Sequence, residues 1–86
     1  MDVSKEKTRQ KLSLINLKAL RKDRDAEFHN YNYALSYHDE SRDTFLLQPF
    51  LNGNRGGGDE ISAYRARNLI KSWLEQPGYC VLRTGH

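Results

Sequence analysis

The chain has little of what most site chemistry needs. A single cysteine, Cys80, among 86 residues can neither staple a fold nor build a multi-thiolate metal centre. No apolar stretch approaches the roughly 18 residues of a membrane span, and no cationic start leads into an apolar segment and cleavage site. Leu, Ile, Val and Phe make up only about a fifth of the residues, just above the ~20% below which a charged chain stays disordered. Five tyrosines and Trp73 raise the aromatic share to 10%, enough for a thin core. Two domains and a large buried catalytic cavity are therefore excluded. The expectation is one soluble, cytoplasmic domain spanning residues 1–86.

Acid–base and nucleophilic chemistry also finds no framework. His29, His38 and His86 lack the i, i+4 spacing of helical metal ligands. His38 and Asp39 flank a turn, and neighbouring side chains at a strand end point apart. No Ser–His–Asp or Cys–His order has a recognisable local context, and Cys80 reads as a small core residue in a short apolar strand. Neither an enzyme nor a cofactor or metal is expected.

Positive charge is concentrated. The formal charge is +3 with a pI near 9.2. Between residues 3 and 22, seven cations (Lys5, Lys7, Arg9, Lys11, Lys18, Arg21 and Lys22) face one anion, Glu6, whereas residues 28–86 are neutral overall. A localised cationic segment attracts polyanions or an acidic protein patch.

Periodicity organises the rest. Residues 4–24 read as a helix whose apolar sector is Leu12, Ile15, Ala19 and Leu20, with Lys7, Lys11, Lys18, Arg21 and Lys22 in an adjoining sector. Leu14 and Leu17 lie off that stripe. Residues 29–37 alternate bulky and small polar side chains, predicting a half-buried strand with Tyr31, Tyr33, Leu35 and Tyr37 on one face. Core packing is the main use expected of that face, and a base-stacking platform the other. A polar turn at 38–43 and a return strand at 44–51 complete a hairpin over residues 29–51. Pro49, which cannot donate to a ladder, makes the return strand an edge. Residues 52–58 read as a glycine-rich surface loop with Arg55 at its tip. They lack the Lys-Ser/Thr of a P-loop, and Asp59 and Glu60 oppose an anion where the following helix would start. That helix, 59–76, takes Asp59 as N-cap and stops at Pro77-Gly78. A last strand occupies 79–84.

The expected architecture is a two-layer α+β sandwich of order α-β-β-α-β, with a three-stranded, mainly antiparallel sheet in strand order 2-1-3. Two uses follow. In the first, the leading helix contacts DNA or RNA phosphates through Lys7, Lys11, Lys18, Arg21 and Lys22, with Arg55, Arg65, Arg67 and Lys71 as auxiliary contacts. In the second, the protein is a small regulator or inhibitor docking on an acidic surface of a larger complex, in the manner of phage or mobile-element accessory factors that inhibit host defence. Its interface would be Leu46, Phe50 and the loop around Arg55. An exposed edge beside an apolar pair also suits a homodimer. Leu12, Ile15 and Leu20 covering Leu46 and Phe50 is the competing expectation.

Overall fold

A computed structural model describes residues 3–76 and 81–83, with side chains over 4–76. The elements are α1 (Val3–Lys22), β1 (Glu27–His29), β2 (Tyr33–Asp39), β3 (Thr44–Leu51), β4 (Asn54–Arg55), β5 (Asp59–Ser62), α2 (Ala63–Trp73) and β6 (Val81–Arg83). The α+β class stands, but the sheet has six strands rather than three, in the order β4-β3-β2-β1-β6 with β5 also on β3. Every pairing is antiparallel.

Three local effects account for the extra strands. The alternating stretch 29–37 is broken at Asn30, whose side-chain Oδ1 accepts from the backbone N–H of Asn32 (2.8 Å) and of Tyr33 (2.7 Å). That asparagine turn folds β1 back on β2, so one expected strand becomes two. Asn52 and Gly53 both hold positive φ, 53° and 80°. This is the backbone of a two-residue hairpin turn, and it returns Asn54 and Arg55 against Leu51 and Phe50. Asp59 and Glu60 pair with β3 instead of starting a helix. Ser62 caps α2, its hydroxyl accepting from the Arg65 N–H at 3.2 Å.

Consequently β3 is not an edge. β5 fills its outer side along Thr44 to Leu47 and β4 along Phe50 and Leu51. Pro49 sits between those two paired stretches, where its missing N–H leaves no ladder bond unmade, and its carbonyl accepts from Gly56 N–H at 2.9 Å. The last strand does lie antiparallel beyond the first, with β6 on β1. Pro77-Gly78 and Cys80 fall outside the described residues.

Both helices cover one face of the sheet. Registers align Phe28 with Leu35 and Leu47, and Tyr37 with Phe45 and Ile61. These side chains meet Leu17 and Leu20 of α1 and Ala66, Ile70 and Trp73 of α2 in one core. Trp73 stacks on Phe28 at 6.0 Å. The core side of α1 is Ser13, Leu17 and Leu20; Leu12, Leu14 and Ile15 are 40%, 51% and 54% exposed. The expected stripe was thus rotated. Leu17 is core, and neither Leu12 nor Ile15 reaches the sheet's other face to cover Leu46 and Phe50.

Candidate nucleic-acid interface

The structure divides the cations into two groups by chemistry. Among the described residues most arginines are spent on structure. Arg21 donates to Asp43 through Nε (2.9 Å) and Nη2 (2.7 Å), and Tyr37 gives the same carboxylate its hydroxyl proton at 2.8 Å. Arg21 and then Tyr37 hold Asp43 below the usual carboxylate range, while Asp43 pushes the Tyr37 phenol up. Arg55 grips Glu27 with both terminal nitrogens and lies 5.1 Å over the Phe50 ring. Arg42 bonds Asp39 and Glu60, and the Ser41 hydroxyl and then Arg42 keep Asp39 far below its ordinary range. Arg9 bridges Glu6 and Glu75, and Lys71 closes on Glu6. Arg21, Arg55 and Lys71, expected as contacts, are therefore neutralised by their own chain.

Lys7, Lys11, Lys18 and Lys22 are exposed and have no carboxylate partner among the described residues. Spacings of four, seven and four set them in a row along the outer side of α1, away from Ser13, Leu17 and Leu20. Leu14 stands beside that row, three residues after Lys11 and four before Lys18.

α2 extends the surface. Ser4, Lys5, Thr8 and Arg9 of α1 share a hollow with Leu74 and Glu75, and further along α1 Gln10, Ser13 and Leu14 face Arg67 and Lys71, so the helices run antiparallel. Gln10, Ser13 and Leu14 of α1 line a groove of about 160 Å³ with Arg67 and Lys71 of α2. Arg67 and Arg65 meet no carboxylate among the described residues, and the Arg67 guanidinium lies 5.7 Å from the centre of the Tyr64 ring. Arg67 thus faces Leu14, which neighbours the lysine row, across the groove; Arg65 lies on the far flank of α2, in a hollow with Tyr64, Asn68 and Leu69.

The expected protein interface fares differently. Leu46 and Phe50 are half-buried on the sheet face away from the helices. Phe50 is contacted edge-on by His29 at 5.3 Å and capped by Arg55. Gly58 runs so close over Leu46 that a Cβ there would lie 2.7 Å from Leu46 Cδ1. The pair is partly covered by its own chain. Of the tyrosine face, Tyr37 packs on the core while Tyr31 and Tyr33 stay exposed at the β1–β2 turn.

Among the described residues no group of three or more His, Cys, Asp or Glu could hold a metal ion, and no helix is long and apolar enough to cross a membrane. Comparison with family models, curated protein sequences and solved structures gives no match to this chain.

Proposed function

We propose that this is a small, non-catalytic nucleic-acid-binding module that lays the outer side of α1 along a phosphate backbone. One observation carries the reading: among the described residues, Lys7, Lys11, Lys18 and Lys22 form a row without carboxylate partners, while most arginines are paired. A lysine is a compact point charge on a flexible stem, suited to phosphates without demanding one geometry. Backbone contacts of this kind give affinity with little sequence choice.

Salt dependence tests it. Each phosphate neutralised contributes roughly −0.9 to the log–log slope of affinity against salt on duplex DNA, and roughly −0.7 on single strands. Replacing all four lysines by Gln is expected to flatten the slope by about 3, measured by fluorescence anisotropy with labelled oligonucleotides. A wild-type protein that fails to bind at about 50 mM salt, or a quadruple variant with an unchanged slope, overturns the proposal.

A second reading, the small protein-binding regulator, is favoured by Leu12, Leu14 and Ile15, which flank the lysines and stay exposed. Phosphates gain nothing from three aliphatic side chains, whereas an acidic partner with an apolar seam would. Under that reading, Leu14 and Ile15 changed to Ser abolish capture of the partner and leave oligonucleotide affinity intact.

A further inference from the structure

Tyr64 is 71% exposed, although it belongs to a helix whose buried side is Ala66, Ile70 and Trp73. It contributes nothing to the core. A ring left this exposed gains no burial on folding, and its value lies in its neighbours. On one side, one turn on, is the guanidinium of Arg67, which meets no carboxylate among the described residues. On the other is a hollow of about 280 Å³ whose walls are Arg65 and the Asn68 amide, with Leu69 beside the ring.

Helix geometry sets this ring at the level of the lysine-bearing turns of α1. Arg67 and Lys71 lie level with Gln10 to Leu14 in the groove between the helices. The helices are antiparallel, so Tyr64, one turn earlier on α2, stands level with the next turn of α1, which carries Lys18. Cation, aromatic face and hydrogen-bonding amide follow one another on α2 from Arg67 through Tyr64 to Asn68, across the groove from Leu14 of α1. That sequence of groups matches a strand of nucleic acid whose phosphates sit over the lysines and Arg67 and whose next base leaves the stack.

We propose that the preferred ligand is single-stranded nucleic acid, with one unpaired base stacked on the solvent-facing side of the Tyr64 ring, its phosphate on Arg67 and its edge within reach of the Asn68 amide. This rests on the phosphate-binding reading of α1 and adds the substrate class to it. A duplex holds its bases in its own stack and offers Tyr64 nothing to receive. Single strands are the ligand that uses both parts of the surface.

The test uses the full chain and two probes of equal length, a mixed-sequence single-stranded oligonucleotide and its duplex, at a fixed low salt. Wild type is expected to favour the single strand. Tyr64→Ala is expected to weaken single-strand binding by between about 5-fold and 100-fold while leaving duplex affinity and the salt slope unchanged, because stacking carries no charge. Tyr64→Phe, which keeps the ring, retains single-strand binding. Equal single-strand affinity for wild type and Tyr64→Ala, or an equal loss on both probes, overturns the proposal. The four-lysine variant separates the two claims: an unchanged salt slope defeats the α1 reading, whereas a reduced slope with an inert Tyr64→Ala defeats the stacking site alone. A wild type that binds neither probe defeats both.

Discussion

Glu27 is held from two sides at once, by the Arg55 fork and by the His29 ring at 2.9 Å. Arg55 and then His29 pull its carboxyl below the ordinary range against the opposing effect of burial. A carboxylate depressed in the folded state stabilises the fold fully above its unfolded pKa and loses that contribution as pH falls through the depressed value. Glu27→Gln is therefore expected to cost about 1 kcal/mol at neutral pH, the low end for charge-assisted bonds because Arg55 is partly exposed. The gap between variant and wild type closes as pH falls below about 4. Urea midpoints of the two proteins between pH 7 and pH 2.5 measure this. A gap independent of pH would assign the cost to packing around Phe50 instead of charge. The same residue explains why Arg55 could not be placed from sequence: its partner lies 28 positions away, and only the β3–β4 hairpin brings them together.

At the scale of elements, short-range chemistry is legible where one local signal acts alone and is masked where a longer pattern overlies it. The period-two alternation of residues 29–37 is real, since Leu35 and Tyr37 do face the core, yet Asn30 and Asn32 within it were turn residues. Asn52-Gly53 is among the strongest hairpin signals a sequence offers, and folding it into a glycine-rich loop hid β4. On α1 the difficulty is different. Aliphatic residues occur around most of the helix, so periodicity alone could not tell the face bearing Ser13, Leu17 and Leu20 from the one bearing Leu12 and Ile15. A pair of substitutions reads the distinction directly. Leu17→Ala removes a side chain that is 4% exposed and is expected to cost about 2–4 kcal/mol; Ile15→Ala, more than half exposed, is expected to stay within about 0.5 kcal/mol of wild type. Thermal or urea unfolding decides between this face and the one periodicity suggested. Comparable losses at the two positions would restore Ile15 to the core.

At the scale of the whole molecule, the lysine row is a cost the fold carries. Lys7 with Lys11 and Lys18 with Lys22 are like charges at i, i+4, each pair destabilising an isolated helix by roughly 0.2–0.5 kcal/mol. Among the described residues no carboxylate relieves them, although Glu6, Glu27 and Glu60 are each shared between two bases. A domain with so thin a core has little stability to spare for repulsion. Replacing Lys11 and Lys18 by Gln should therefore raise stability by about 0.3–1 kcal/mol at low ionic strength. The gain should fade as salt approaches about 0.5 M and screening removes the repulsion in the wild type. Unfolding at two salt concentrations is the measurement. If the substitutions stabilise the protein while weakening nucleic-acid binding, stability and binding pull in opposite directions at the same residues, as expected of charges kept for a ligand. If they destabilise it at every salt concentration, the lysines support the helix through their aliphatic stems, and their exposure is no argument for an anionic partner.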